Sequence, residues 1–314
     1  MQIRQQITNS ELLLLSCLLL IFFLATETVF AQKIPTQNSP EILQFGSTGK
    51  NPLSLPSDVA AYNNKVYIVD GSNHRIMVYD LQGNFLFNFS RKGTDAGQLN
   101  YPVGIDISTN GKVYIADSGN KRIQIFSEKG IFLSQFSVKI GKKTVRPVDL
   151  VYHSRSGNIV VSGSNHRIMI FSPKGKLLRK WGNNGINQGE FRYPATISEL
   201  KDGRIAVVDV LNARVQVFNI DGSISLVVGG WGVLPGQLFR PKGVALDRHG
   251  NFYISDSYMN VVQKYSDSGS FTGVLGNKGN PYKMQTPVGM TVYKNRLYVT
   301  EMRKNRVSVY QLVD

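Results

Sequence analysis

Two aspartates in this 314-residue chain stand where the sequence could hold a hard cation. Asp58 and Asp149 each follow a proline by two residues, and that proline recurs every 45–47 residues. If the recurring units form a ring, both carboxylates lie at the mouth of one central channel. Because Ca²⁺ takes oxygen ligands, a calcium site at Asp58 and Asp149 is one hypothesis. The alternative is that both carboxylates accept hydrogen bonds from nearby backbone N–H groups.

The four histidines do not predict a zinc site. His74 and His166 lie two units apart in one set of loops, whereas His153 and His249 lie in the opposite set. Zinc needs three or four nitrogen or sulfur ligands within about 2.0–2.3 Å. The single cysteine, Cys17, lies in an apolar N-terminal run. No Ser/His/Asp arrangement stands out, so the sequence favours a protein that is not an enzyme and needs no cofactor.

Basic side chains suggest binding chemistry instead. The chain has 36 Lys and Arg against 21 Asp and Glu, a net charge of +15. Such a charge favours acidic macromolecules as partners. The candidate binding residues share the loops expected on one face: Arg75, Lys121, Arg122, Lys142, Lys143, Arg146, Arg167, Arg192, Tyr193, Arg214, Arg240 and Lys242.

A structural role competes with binding for some of these residues. Five arginines recur at one position of the unit, each five residues after an acid or its substitute: Arg75, Arg122, Arg167, Arg214 and Arg306. That spacing would suit an acid–arginine clamp across a loop. For the aromatic residues, we expect Phe191 and Phe239 to fill the wedge between neighbouring units, and Trp181 and Trp231 to pack at strand ends.

The repeat determines the elements that position these residues. Each unit opens with a proline and contains short runs with period-2 alternation, such as KVYIAD and RIQIFS, bounded by Gly and Asn turns. Four strands per unit, repeated six times, predict an all-β, six-bladed β-propeller. The sixth unit lacks a fourth strand. We expect the N-terminal segment from Glu41 to join that last blade and close the ring.

In such a ring, the loops that join strands 2 and 3 and those that connect successive blades lie on one face, here called the top face.

The predicted division of the chain is a signal peptide at 1–31, a leader at 32–40 and the propeller at 41–314.

These motifs resemble NHL-repeat proteins. The resemblance rests on an acid-x-x-Asn-x-Arg-(Ile/Val) stretch, as in Asp70–Ile76, Asp117–Ile123 and Asp209–Val215, and on G-x-(L/F)-x-x-P approaches at Gly97, Gly189 and Gly236. It implies a propeller, and NHL propellers of the tripartite-motif type bind RNA on such a face. The related peptidyl-hydroxyglycine lyases hold a metal with histidines just after the strand-opening proline. This chain has no histidine there: Ser57, Val103, Val148, Ala195, Lys242 and Val288.

The N-terminus predicts export. Residues 12–25 form a 14-residue apolar run after Arg4, and a cleavage site is expected after Ala31. The run is short for a membrane span of about 20 residues, and an uncleaved segment would tether the propeller outside the cytoplasm. No other transmembrane segment is expected. Arg4, Glu11 and Glu27 contribute −1 to the net charge, so the remainder would carry +16.

Three function hypotheses follow. The first is a secreted, non-catalytic binding or scaffold protein that recognises an acidic glycan, envelope component or protein through the top face. The second is a metal-dependent lyase or lactonase-like hydrolase at the channel mouth. The third is binding of RNA or another nucleic acid, which an export signal disfavours.

Overall fold

Within the described residues, six antiparallel blades of four strands each are arranged in a ring, and two short added strands enlarge the sheet of one blade to six. This arrangement confirms the propeller expected from the repeat. The structure is a computed structural model and describes residues 34–49 and 51–313. The expected signal peptide and Cys17 lie outside the described residues. Pro35–Asp314 forms one compact unit. Within the described part of the chain, no helix is long and apolar enough to cross a membrane.

The strands follow the predicted order of four per blade. Two strands precede the first blade: β1 (Thr36–Asn38) and β2 (Glu41–Phe45). Blade 1 contains β3 (Asp58–Tyr62), β4 (Lys65–Asp70), β5 (Arg75–Asp80) and β6 (Phe85–Phe89). Blade 2 contains β7 (Pro102–Ile107), β8 (Val113–Asp117), β9 (Arg122–Phe126) and β10 (Phe132–Ser137). A small hairpin, β11 (Lys139–Ile140) and β12 (Lys143–Thr144), connects blade 2 to blade 3.

The remaining blades repeat this plan. Blade 3 contains β13 (Pro147–His153), β14 (Asn158–Gly163), β15 (Arg167–Phe171) and β16 (Leu177–Trp181). Blade 4 contains β17 (Pro194–Glu199), β18 (Ile205–Asp209), β19 (Arg214–Phe218) and β20 (Ile224–Val228). Blade 5 contains β21 (Pro241–Leu246), β22 (Phe252–Asp256), β23 (Val261–Tyr265) and β24 (Phe271–Asn277), with β25 (Asn280–Pro281) paired to β24. Blade 6 contains β26 (Pro287–Tyr293), β27 (Arg296–Glu301) and β28 (Arg306–Gln311). Three short 3-10 helices follow strand-ending acids: Gly71–Asn73, Val210–Asn212 and Met302–Lys304.

The core lies between the blades rather than within any one of them. Each described hydrophobic cluster is shared by two successive blades, and the last joins blade 6 to blade 1. The middle strands are buried on both faces, because each face of a sheet packs on a neighbouring sheet; β8 and β9 are buried throughout. The first strands of successive blades contact each other and surround the central channel.

The N-terminal strand closes the ring as expected. β2 pairs antiparallel with β28, and Phe45 lies opposite Val307. This pairing supplies the missing fourth strand of blade 6 and covers an edge that would otherwise expose unpaired N–H and C=O groups.

Part of the segment expected to be a leader is also ordered. β1 pairs in parallel with β24 of blade 5, so that Thr36 lies opposite Val274. Gly276 permits this close approach, because a Cβ atom there would overlap the Thr36 side chain. Period-2 alternation cannot reveal such a strand in a three-residue segment.

Candidate binding face

Acid–arginine clamps hold the top-face loops. The carboxylates of Asp70, Asp117 and Asp209 are fully buried at the ends of second strands. Their Oδ2 atoms accept from the Nε atoms of the arginines five residues later: Arg75 at 2.7 Å, Arg122 at 2.7 Å and Arg214 at 3.0 Å. The other oxygen accepts a backbone N–H from the loop that precedes the opening proline of the same blade, as Asp117 does from Asn100 at 2.8 Å. These bonds fasten two loops together.

Blade 6 uses a glutamate in the same way. Glu301 accepts from Arg306 Nε at 2.7 Å and from Ser308 Oγ at 2.7 Å. Burial alone would raise the pKa of Glu301, but the hydrogen bonds from Ser308 and Arg306 outweigh it and hold that pKa below its usual value. Blade 3 has Ser162 instead of an acid, and Arg167 donates to Asn183 Oδ1 at 3.0 Å.

The clamps therefore divide the predicted binding residues into two groups. Arg122 is buried and also donates to the carbonyls of Thr94, Asp95 and Gln98, whereas Arg75, Arg167 and Arg214 are half-buried. Of the remaining cations in the set, Lys242 lies in β21 and is half-buried, and the others stand in loops or the small hairpin. The exposed ones are Lys121, Lys142, Lys143, Arg146, Arg192 and Arg240.

A second contact links four of the loops between strands 2 and 3 to the next blade. His74 Nδ1 accepts the N–H of Tyr101 at 2.9 Å, and His166 Nδ1 accepts that of Tyr193 at 3.2 Å. Asn260 and Asn305 make the same contact with Thr286 and Leu55. The accepting role places the proton of each neutral imidazole on Nε2. Burial, aided by the charge of Lys92, lowers the pKa of His74 and so favours this neutral form.

A polar cleft lies on the top face between blades 5 and 6. Its volume is about 580 Å³. It is lined by Arg240, Ser257, Tyr258, Asn260, Gln285, Thr286 and Arg303. Of these, the sequence placed only Arg240 in the candidate set. Tyr258 and Asn260 were missed because the fifth unit departs from the acid-x-x-Asn-x-Arg pattern at Met259 and Val261.

Aromatic residues on this face include two that differ from expectation. Phe191 is fully buried and contacts Phe218, which confirms the wedge packing expected for it. Phe239 is not in a wedge; Leu238 occupies the position equivalent to Phe191. Phe239 instead lies between Trp231 and Tyr258, with ring centroids 6.1 Å and 4.3 Å away. Trp231 is therefore not packed at a strand end but largely exposed, whereas Trp181 is half-buried against Phe218.

Tyr193 and Lys242 form a neighbouring pair on the top face. Lys242 Nζ lies 5.9 Å from the centroid of the Tyr193 ring. Burial first, and then the nearby charge of Arg240, lowers the pKa of Lys242. A desolvated ammonium beside an aromatic face gains a cation–π attraction, so Tyr193 helps to keep Lys242 in place.

The central channel holds three carboxyl groups rather than two. Asp58, Asp106 and Asp149 line a cavity of about 70 Å³. Each accepts a backbone N–H from the following blade: Asp58 from Ile105 at 3.0 Å, Asp106 from Tyr152 at 2.7 Å and Asp149 from Ile197 at 2.8 Å. Asp106 lies four residues after its opening proline, at a repeated position whose equivalents Ala60, Val151 and Ser198 line the same cavity.

The surroundings of the three channel carboxyl groups favour their protonated, neutral form. Burial raises the pKa of Asp58 to about 7, and the charge of Asp106 adds to the rise. Burial likewise raises the pKa of Asp106 to about 7. Burial and the charge of Asp58 raise the pKa of Asp149 well above its usual value, and its Oδ1 atom has no hydrogen-bond partner.

The channel fits calcium poorly. Ca²⁺ takes six to eight oxygen ligands, and within residues 34–49 and 51–313 no group of three or more His, Cys, Asp or Glu residues is arranged to hold a metal. Asp149 Oδ1 packs so closely on Gly104 that a Cβ atom there would overlap it, and Asp58 Oδ1 packs in the same way on Gly289. The geometry agrees better with the backbone-bonding alternative.

Comparisons with known proteins agree with the architecture. The family model for the NHL repeat matches residues 99–126. Protein brain tumor of Drosophila melanogaster is 27% identical over 171 residues, which span 53% of this chain and 12% of that protein. This chain therefore corresponds to a small part of that relative's length.

Solved structures share the fold at low sequence identity. A gluconolactonase from Xanthomonas campestris aligns with a TM-score of 0.65 and 14% identity, over 83% of this chain and 87% of the gluconolactonase. A catalytically inactive virginiamycin B lyase from Staphylococcus aureus with quinupristin aligns with a TM-score of 0.60 and 15% identity, over 88% and 99% of the two chains. At these identities the likeness concerns the fold alone.

Proposed function

Because the chain is an NHL-repeat β-propeller, we propose that it is a secreted, non-catalytic binding protein that recognises an acidic macromolecule through its top face. The observation that carries the proposal is the unequal burial of charge in the top-face loops. The clamp acids are buried and paired, whereas most of the loop cations are exposed.

Exposed cations greatly outnumber exposed carboxylates in the top-face loops. Within the described top-face loops, Asp95 is the one exposed carboxylate and Glu190 is the one half-buried carboxylate. The exposed cations in the same loops are Arg91, Lys92, Lys121, Lys139, Lys142, Lys143, Arg146, Arg192, Arg240, Lys278, Lys283 and Arg303. The loops of the opposite face mix cations with accessible or half-buried acids, namely Asp80, Glu128, Asp202, Asp221, Asp247 and Asp267. A surface of one sign attracts an oppositely charged partner and accelerates encounter with it.

The cleft between blades 5 and 6 is the part of the top face where we expect the anionic partner to bind. Arg240 and Arg303 supply planar guanidinium groups that can bind carboxylate, sulfate or phosphate oxygens in pairs. Ser257, Asn260, Gln285 and Thr286 add neutral hydrogen-bonding groups to the same walls. Such a lining supports recognition of a polar, anionic ligand.

A charge-reversal experiment tests the proposal. Lys142, Lys143, Arg146 and Arg240 are changed together to Glu, and binding to sulfated dextran is measured at low salt. We expect an affinity loss of about 100-fold or more, because polyanion binding follows the number of cations that contact it. The matched control changes four exposed cations of the opposite face, Lys112, Lys129, Lys174 and Lys201, to Glu. If both variants lose the same affinity, net charge rather than the top face governs binding, and the proposal fails.

Two competing functions are measured on the same sample. A metal-dependent enzyme at Asp58 and Asp149 requires stoichiometric metal after exhaustive dialysis, and Asp58→Asn should then lower the metal content. Nucleic-acid binding would appear as a preference for single-stranded RNA over sulfated dextran at equal charge, with a steep salt dependence. For localisation, we propose cleavage after Ala31, and N-terminal sequencing of the exported protein measures it directly.

A further inference from the structure

One top-face loop carries an exposed apolar tip. The loop that connects blade 4 to blade 5 carries Trp231, Val233 and Leu234, here called the apolar loop tip. Their side chains are 73%, 60% and 64% exposed. Three large apolar side chains so exposed within four residues are a feature of surfaces that contact another protein or a membrane.

The loop is held in shape without burying these side chains. Leu238 donates its N–H to the Gly230 carbonyl at 2.7 Å, and Gly232 donates to the Leu238 carbonyl at 2.9 Å. Leu234 N–H donates to Gln237 Oε1 at 3.1 Å. Phe239, whose ring faces Trp231, is itself half-buried. The backbone is thus fixed, and little ordering entropy would be lost when the tip is buried.

Neighbouring loops of the top face carry further exposed apolar side chains. Ile186 precedes Gly189 by three residues, as Val233 precedes Gly236, and it is 68% exposed. Leu211, also exposed, lies in the intervening loop of blade 4. That loop is tied to the Ile186 loop, because Asn212 Nδ2 donates to the Gly185 carbonyl at 2.9 Å.

Cations border these apolar residues. Arg192 and Arg240 are exposed at the ends of the two blade-connecting loops, and Lys242 follows beside Tyr193. Tryptophan and aliphatic side chains partition favourably into the boundary between lipid headgroups and acyl chains. Lys and Arg side chains beside them attract the phosphates of anionic lipids. A hydroxyl-rich glycan or a phosphodiester backbone would leave Val233 and Leu234 without apolar partners.

We propose that the top face docks on an anionic phospholipid bilayer, with the apolar loop tip inserted into the headgroup region and the bordering cations on lipid phosphates. This inference rests on the proposed function, since it names the acidic partner of the same face.

Fluorescence of the tip tryptophan tests insertion directly. The chain has two tryptophans, so Trp181→Phe leaves Trp231 as the sole reporter. Vesicles of phosphatidylcholine with about 30% phosphatidylglycerol are compared with pure phosphatidylcholine vesicles by flotation and by emission spectrum. We expect binding to the anionic vesicles and a blue shift of Trp231 emission, because the indole leaves water.

Two variants separate insertion from simple charge attraction. With Trp231 kept as reporter, Val233→Ser with Leu234→Ser should weaken partitioning about 10-fold or more, because their contact with acyl chains is lost. The matched control, Leu133→Ser with Leu178→Ser, changes two exposed leucines on the outermost strands of blades 2 and 3 and should bind as the parent does.

Each remaining outcome overturns the inference. Vesicle binding without a blue shift, or unaffected by the loop-tip variant, would mean that only charge holds the protein on the surface. Binding to sulfated dextran without binding to vesicles would refute bilayer docking and leave the proposed function intact. If neither probe binds, both proposals are wrong.

Discussion

Replacing Asp58 with asparagine should make the protein more stable, and the gain should grow with pH. The Asp58 carboxyl is buried beside the central channel, where its Oδ2 atom accepts the Ile105 N–H at 3.0 Å. Burial raises its pKa from 3.8 to about 7. Asparagine keeps an oxygen for Ile105 but cannot ionise. Asp58→Asn therefore removes the titration while it preserves the hydrogen bond.

The sign and size follow from proton linkage. Since the folded-state pKa is raised, the folded protein holds this proton more tightly than the unfolded chain does. The stability from this group is fully present below pH 3.8 and is lost as pH rises through about 7. The loss is about 1.4 kcal/mol per pH unit over that window. The advantage of Asp58→Asn should therefore grow by about 3 kcal/mol between pH 5 and pH 8, and most of that growth should occur below pH 7.

Urea unfolding at pH 5, 6, 7 and 8 measures the difference in the free energy of unfolding between parent and variant. Asp267→Asn makes the same substitution at an exposed carboxyl on the opposite face and is the matched control. A constant difference across this range would refute the reasoning, as would an Asp58→Asn protein that is less stable than the parent at pH 8. Either result would mean that Asp58 is ionised and stabilised in the folded state, as a bound cation would make it.

Two further predictions concern the clamps and the ring closure. Arg122→Met should destabilise the protein by about 3–5 kcal/mol in urea unfolding, because it leaves the buried Asp117 carboxylate without its counter-ion. Arg167→Met removes a partner of the neutral Asn183 amide and should cost about 1 kcal/mol, so equal costs would contradict the clamp. A chain that begins at Pro40 keeps β2 and should keep the melting temperature and the oligomeric state of the parent. A chain that begins at Gly46 loses the strand that pairs with β28. Its melting temperature should fall by about 10 °C and it should associate beyond the parent's state, as calorimetry and scattering would detect.

The sequence predicted most of the fold because the repeat carries redundant information. Strand-opening prolines, period-2 alternation and the resemblance of Glu41–Phe45 to other fourth strands together specified six blades and their closure. β1 was not predicted, because its place depends on a close approach at Gly276, which no local pattern encodes. The third channel carboxyl, Asp106, was missed although the pattern encodes it. In its unit it lies two residues after the position that Asp58 and Asp149 occupy in theirs, and period-2 alternation places residues two apart on the same side of a strand.

The cleft between blades 5 and 6 lies where the fifth unit departs from the repeat, and the hydrogen bonds of Asp256 explain its shape. In blade 5 the clamp arginine is replaced by Val261, so Asp256 needs other donors. Asp256 accepts four backbone N–H groups instead: those of Phe239 and Arg240 on Oδ2, and those of Tyr258 and Met259 on Oδ1, at 2.7–3.0 Å. No arginine side chain is drawn across this loop to the acid. Tyr258 is left exposed against Phe239, beside Arg240, and lines the cleft. Met259→Asn with Val261→Arg restores the residues of the clamp. An arginine side chain that crosses this loop to Asp256 should therefore alter the exposure of Tyr258 while the blade remains folded.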